Sequence, residues 1–355
     1  MPRVRFTRRR LLASAVFVVS AVAFLYFVLP KLLGLQHTWN RIEQGNVWWL
    51  VLGIALEVCS FAGYVMLFRA VFVRSESPIE WRESYQITMA GLAATRLFAA
   101  AGAGGIALTA WAVRRSGLSA RTVACRMIAF LVLLYCVYMV TLIVDGLGLY
   151  LGVLPGPAPF AITIVPAIFG AAVIALFLAV SLLPGDFDRL VGRWTSSGGR
   201  VSRLARRVAA APATAASGVR TAISLVRTKD LCLLGAVAWW GFDIAVLWAC
   251  FHAFGAAPPQ AVIVMSYFVG MLGNTLPLPG GIGGVDGGMI GAFSAFGVPV
   301  QISVVAVLAY RGIAFWLPTL PGAVAYLQLR RTVHRWSAAE APSPSAAEAP
   351  SPSYT

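Results

Sequence analysis

The sequence predicts an all-α integral membrane protein, and three observations carry that prediction. Of 355 residues, 59% are hydrophobic and only 12% are charged, with a mean hydropathy of +0.80. The apolar residues fall into separate stretches near or above the roughly 20 residues that cross a bilayer core. The net charge of +15 is almost all arginine, placed at the ends of those stretches and in one long loop. A soluble domain carries roughly 25% charged residues, so a chain this apolar cannot cover a water-facing surface. Helices are the natural spanning form, because hydrocarbon offers no partner to an open backbone donor or acceptor.

The elements follow in order. A basic segment, Arg3 to Arg10, precedes an apolar run from Leu11 to Leu29. Thr7, Arg8, Arg9 and Arg10 resemble a twin-arginine export signal. No small-x-small cleavage site follows and more spans come later, so the run reads as a signal-anchor helix. Further spans are expected at about 47–73, 123–150, 160–183, 231–254 and 302–329. That gives about six transmembrane helices.

Two other apolar stretches, 84–113 and 261–296, are interrupted by glycine clusters at 102–105 and 280–284. Glycine costs a helix interior about 1 kcal/mol per residue. Each cluster therefore suggests a break between two half-helices. Charge bias supports the same idea. With a cytoplasmic N-terminus, a re-entrant first stretch keeps Arg114, Arg115 and Arg121 inside. The basic loop 184–230 then also lies inside, as do Arg330, Arg331 and Arg335 after the last span. Lys31 and Arg41 are the exceptions, and eight simple crossings remain an alternative.

The two halves echo each other: GAGGI at 102–106 with GIGGV at 281–285, and RMIAF at 126–130 with RGIAF at 311–315. In the re-entrant topology these repeats face opposite ways, the inverted-repeat plan of many transporters. In the long loop, Val201, Leu204, Ala205 and Val208 have the spacing of a helix lying in the cytoplasmic interface, with a solvated basic linker as the alternative. The tail repeats SAAEAPSP and reads as disordered. The expected organisation is a basic cytoplasmic N-terminus (1–10), one transmembrane domain (11–332) containing the 184–230 loop, and a disordered tail (333–355).

Ionisable groups inside a membrane are costly and mark either helix-pinning pairs or a polar path. The candidates are Glu57, Arg96, Arg126, Asp243, Asp286 and Arg311, with Asp145 nearer a span end. Glu57 and Asp243 read as structural. Arg126 and Arg311 read as functional, because of the echo. Asp286 is placed to cap a half-helix starting near Gly287, with a cation or proton site beside it. The glycines Gly104, Gly105, Gly281, Gly283 and Gly284 let a backbone approach another backbone or a ligand closely. Half-helix N-termini attract anions such as a lipid phosphate. The five cysteines lie within apolar stretches and form no CxxC, and the three histidines are scattered. No metal site, no cofactor and no nucleic acid is expected. No convergent acid, base and nucleophile set points to an enzyme.

The segment NTLPLPGGIGGVDGG (274–288) resembles the PxPGGxGxxE signature of the lysylphosphatidylglycerol synthase transmembrane-region family, also called flippase-like domains. Tyr310 and Arg311, followed by Pro318 and Gly322, resemble that family's last helix. Gly104 and Gly105 through RRSGLS (114–119) resemble its first glycine motif. Where the family often has Gly-Glu-x-x-Arg, this chain has Ile106 and Thr109 at the charged positions. Its second-motif acid is Asp286 rather than Glu, preceded by Val285 rather than Arg. The resemblance implies only the flippase half of the multiple peptide resistance factor, since few residues follow Arg335.

The expectation is a lipid translocase of the cytoplasmic membrane, for a phospholipid or a lipid-linked head group. The head group would enter between the repeats, and Arg96, Arg126, Arg311 and the glycine-rich helix ends would hold it. Membrane lipids, anionic above all, are the expected partners. A partner lipid-synthesis enzyme and a homo-oligomer are compatible with it. The alternatives are a membrane-embedded lipid-modifying enzyme and a scaffold for such an enzyme.

Overall fold

The computed structural model describes residues 45–73, 79–97, 103–182, 200–255, 257–275, 281 and 283–339. Among these residues the regular structure is entirely helical. The expected first span at 11–29 and the segment 276–280 lie outside them.

Five helical segments are long and apolar enough to cross a membrane: Val47–Phe72, Ala120–Tyr150, Phe160–Ser181, Leu231–Phe254 and Val300–Trp336. These match the expected spans. Their surfaces agree with lipid as the solvent. On Phe160–Ser181, Ile168, Leu176 and Leu178 are each more than half exposed, and lipid is the medium that accepts such a face. The chain is a multi-pass α-helical membrane protein.

The helices are numbered as they occur in the described residues. The first, α1 (Val47–Phe72), starts where the Asn46 side chain accepts the Trp48 N–H at 3.0 Å. Its antiparallel partner is α7 (Gly235–Phe254), reached through a 3-10 turn at Leu231–Leu234 that the Asp230 carboxylate caps. Small residues let these two backbones touch. A Cβ on Gly63 would stand 2.7 Å from that of Ala238 and 2.9 Å from the Gly235 carbonyl. The Ser60 hydroxyl donates to the Trp239 carbonyl at 2.9 Å. At the other end, the Asn46 N–H donates to the Ala253 carbonyl.

Each glycine-interrupted stretch folds back as an antiparallel hairpin. The first pairs α2 (Trp81–Leu97) with α3 (Ala103–Arg115), Gly105 lying against Gly91 and Thr95. The second pairs α8 (Gln260–Met271) with α9 (Gly284–Ala295), Gly270 lying against Met289, and Gly273 against Gly284. The helices of the second hairpin have 12 residues each. At 1.5 Å per residue each is about 18 Å long, against a hydrocarbon core of about 30 Å.

Two long helices follow the first hairpin: α4 (Ala120–Tyr150), capped by Ser119, and α5 (Phe160–Ser181). The last span is broken into α10 (Val300–Arg311), a π-helical turn at Gly312–Trp316, and α11 (Thr319–Ala339). Helix α11 runs to Ala339, past the boundary expected at residue 332, and residues 340–355 lie outside the described residues.

Exchanging α1 with α7, α2 with α8, α3 with α9, and α4 with α10–α11 carries one set of packed pairs onto another. Helices α2 and α11 pack together as α8 and α4 do. Helices α3 and α4 pack as α9 and α10 do, and α1 with α2 as α7 with α8.

The basic loop holds a 28-residue helix, α6 (Arg200–Arg227). The side chains described in it begin at Pro212. Ala213, Ala216, Val219, Ala222 and Leu225 are buried, and the helix packs on α4 and α5. Gly218 sits against Ile128 and the Cys125 carbonyl near the start of α4. Apolar contacts within the chain thus hold this half of the segment; the side chains of Val201, Leu204, Ala205 and Val208 lie outside the described residues.

Candidate functional site

A cavity of about 330 Å³ lies where α1, α2, α3, α4, α7, α8 and α10 meet. Its lining includes the apolar and aromatic side chains of Phe68, Met127, Phe130, Leu131, Leu134 and Trp239. It also includes Glu57, Arg96, Asp243, Tyr267, Tyr310 and Arg311. The juxtaposition suits a ligand with a charged end and a greasy end.

The charges are held by fixed partners. Asp243, at the middle of α7, accepts hydrogen bonds on Oδ2 from the Tyr267 hydroxyl and, at 3.0 Å, from the Tyr310 hydroxyl. Glu57 comes from the facing position of α1, within hydrogen-bonding reach of Asp243. Only 3% of Glu57 and 6% of Asp243 is exposed. Glu57 Oε2 has no donor against it.

Arg96, in the last turn of α2, crosses to the final span. Its Nη1 donates to the Phe315 carbonyl and its Nη2 to the Ala314 carbonyl, both at 2.9 Å. A π turn shifts the bonding of a helix to i→i+5, seen here as the Leu317 N–H reaching the Gly312 carbonyl at 3.0 Å. Both acceptors of Arg96 lie in that turn. The guanidinium also lies over the rings of Phe61 and Phe315 and acts on Glu57, Asp243 and Arg311. Arg96 also lines the cavity.

Arg311, the residue before the π turn, places Nε 2.7 Å from Asp286 Oδ1. The approach is off the N–H direction, so this is a charge contact rather than an aligned hydrogen bond. Its guanidinium lies 4.3 Å from the centre of the Phe315 ring. Asp286 Oδ2 accepts the Gly283 N–H at 2.8 Å.

Asp286 is therefore not the first capping residue of a helix starting near Gly287. Helix α9 starts at Gly284, and Asp286, in its first turn, reaches back to the preceding N–H. The earlier start is made by Gly281 and Gly283, whose φ angles of 67° and 83° are left-handed values that side chains disfavour. Gly281 also abuts the Asn274 side chain, which lines the cavity. Gly104 and Gly105 lie in the first turn of α3, and Gly105 lines the cavity. Both glycine motifs thus form the N-terminal ends of second hairpin helices.

Of the sequence-predicted residues, the fold brings together Arg96, Arg311, Asp286, Gly105, Gly281, Gly283 and Gly284. It does not bring Arg126 to them. Arg126 Nη1 donates to the Phe72 carbonyl at 2.9 Å, at the C-terminal end of α1, a favourable place for a cation. The echo that paired it with Arg311 is also out of register. Arg126 sits in the second turn of α4, and Arg311 in the last turn of α10.

Glu57 and Asp243, read from sequence as helix-pinning acids, lie in the cavity wall. Tyr267 was missed, because an isolated tyrosine in an apolar helix carries no signal. Tyr310 had one, its place beside Arg311. Ile106 and Thr109 also line the cavity, so its charge comes from α1, α2, α7 and α10 instead.

The fold and this ionisable cavity define a polytopic membrane protein with charged groups lining a cleft between its helices. The model of the lysylphosphatidylglycerol synthase transmembrane region matches residues 11–322, and the chain belongs to that family. Among its relatives are UPF0104 membrane proteins of two methanogens. One from Methanothermobacter thermautotrophicus is 32% identical over 109 residues, 30% of this chain and 31% of the relative. One from Methanocaldococcus jannaschii is 30% identical over 95 residues, 26% of this chain and 28% of the relative. A second from Methanothermobacter thermautotrophicus is 32% identical over 127 residues, 35% of this chain and 37% of the relative. The matched segment spans about a third of the length of these relatives.

Proposed function

We propose that this protein moves a lipid head group across the cytoplasmic membrane through the cavity between its two halves. The observation that carries this reading is the cavity wall itself. Two arginines and two acids line it together with apolar and aromatic side chains, within a membrane-spanning bundle. Burying such charges is costly, and a passage for a polar head group gives them a use. The phosphate of an anionic lipid pairs with Arg96 and Arg311, while the acyl chains stay against apolar side chains and lipid. The protein adds no chemistry of its own in this reading.

The membrane arrangement is part of the proposal. Both hairpins are re-entrant, the halves form an inverted repeat, and both termini are cytoplasmic. The exchange of packed pairs and the short α8 and α9 support it.

The test is reconstitution of the purified full chain into liposomes containing a head-group-labelled anionic phospholipid. Label movement between leaflets, reduced at least tenfold in the double variant Arg96→Gln/Arg311→Gln, is the expected result. Label movement equal to that of protein-free vesicles would reject the proposal. A chemically altered lipid would favour a membrane-embedded enzyme.

A further inference from the structure

The charged groups of the cavity do not balance. Glu57 and Asp243 line it beside Arg96 and Arg311, and Arg311 is paired with Asp286. That makes three acids against two bases. A buried excess charge is expensive, and two carboxyls sharing one buried site do not both ionise. One positive charge is needed to close the set.

Geometry says where it sits. Asp243 accepts from two tyrosine hydroxyls on a single oxygen, the environment of a carboxylate. Arg96 has two of its nitrogens directed at the Ala314 and Phe315 carbonyls. Glu57 Oε2 is buried and faces no donor. An oxygen with no donor against it, beside a carboxylate that accepts, is the place for a proton.

The 3-10 turn Leu231–Leu234 packs on α1 and brings Cys232 near Arg69, toward the end of the helix away from Glu57. Asp243 on α7, Arg96 on α2 and Tyr310 on α10 act on Glu57, while Arg311 on α10 and Tyr135 on α4 line the same cavity. Tyr267 completes the ring from α8, and Tyr64 stands on the same helix as Glu57. The π turn brings no titratable side chain.

We propose that Glu57 carries one exchangeable proton, held against the Asp243 carboxylate, and that its loading and release accompany head-group movement through the cavity. The first half stands on the cluster alone, and the second rests on the translocase reading. In loading, water in the cavity delivers a proton to a Glu57 carboxylate oxygen and an O–H bond forms. In release the same bond breaks and the proton returns to water. The cluster alternates between neutral and one net negative charge.

A proton is favoured over a metal ion. A hard cation needs about six oxygen ligands, and no group of three metal-ligating acids, histidines or cysteines occurs among the described residues.

Infrared difference spectroscopy of the purified full chain between acid and alkaline pH reads this directly, at the carbonyl stretch of protonated carboxyl groups. The expected result is a band that disappears on alkalinisation and is lost at every pH in Glu57→Gln. Asp243→Asn removes the carboxylate that opposes ionisation, so the same band should be lost there over the neutral range. A band that survives unchanged in both variants overturns the assignment, as does a parent protein with no such band.

For coupling, parent and Glu57→Gln liposomes are compared under a proton gradient at equal sodium, under a sodium gradient at equal pH, and with neither gradient. Movement that follows the gradient in the parent and ignores it in the variant supports the proposal. Gradient-independent movement in the parent overturns coupling, and movement driven by sodium alone overturns the choice of ion. The Glu57 band present with no lipid movement in the parent upholds the proton site and rejects the translocase reading.

Discussion

Arg311 ties the last span to the second hairpin through Asp286, its Nε standing 2.7 Å from Asp286 Oδ1 with both side chains buried. The same carboxylate, through Oδ2, holds the Gly283 N–H at the start of α9. One residue therefore fixes the hairpin tip and neutralises an arginine of the cavity wall.

Replacing Asp286 separates these two tasks. Asp286→Asn can still accept from the Gly283 N–H but leaves Arg311 without its counter-charge. Stranding one member of a buried pair costs about 3–5 kcal/mol. Asp286→Ala also loses the cap, worth about 1 kcal/mol more. Thermal melting in detergent should rank parent, then Asn, then Ala. An Asp286→Asn protein that melts with the parent would remove the ion pair from the stability argument.

Arg126 should behave differently from Arg311. Its bond to the Phe72 carbonyl is a charge-assisted contact of about 1.5–3 kcal/mol. Arg126→Ala should lose about that much stability and leave lipid movement per folded molecule unchanged. Loss of movement at unaltered stability would return Arg126 to the binding site.

Arg96→Lys tests the bidentate grip on the π turn. Lysine keeps the charge but cannot offer two parallel donors from a planar fork. It should lose one of the bonds to Ala314 or Phe315, about 1.5–3 kcal/mol for a bond to a charged group, and should loosen the turn. Hydrogen exchange at 312–317 is the readout, and faster exchange is expected there with α1 unaffected.

The α1–α7 contact predicts a contrast between glycines. A Cβ at Gly63 meets backbone at 2.9 Å, whereas one at Gly241 meets nothing within 4 Å. Gly63→Val should destabilise by about 1–3 kcal/mol through overpacking. Gly241→Ala should be neutral or stabilising by up to about 1 kcal/mol. Melting of the two variants side by side decides it.

Single-cysteine labelling at Ser116 and Ser197, in a background without the five native cysteines, should find both on the cytoplasmic face. Labelling of Ser116 from outside would reject a re-entrant first hairpin.

The long apolar runs were legible because hydropathy is a local property, and every expected span within the described residues is helical. The breaks were legible for a related reason: clustered glycine interrupts an apolar helix wherever it lies. Their antiparallel folding rests on contacts such as Gly91 with Gly105, which sequence spacing does not give. The cavity was legible only in part. Arg96, Arg311 and Asp286 stood out as charges in apolar sequence. The roles of Glu57 and Asp243 depend on α1 and α7 lying antiparallel at close range, a tertiary fact. The Arg126 echo misled because four matching letters in five say nothing about depth along a helix.

The shortness of α8 and α9 bears on how the membrane voltage acts. In the proposed re-entrant arrangement, two helices of about 18 Å would leave aqueous vestibules on either side of the bundle's middle. An ionic vestibule sits near the potential of its own compartment, so the drop concentrates over the thin septum that remains. A whole elementary charge crossing the full drop is worth about 2.3 kcal/mol per 100 mV. A carboxyl at that septum, as Glu57 would be, experiences most of that drop over a few ångströms, and its charge state then reports voltage as well as acidity.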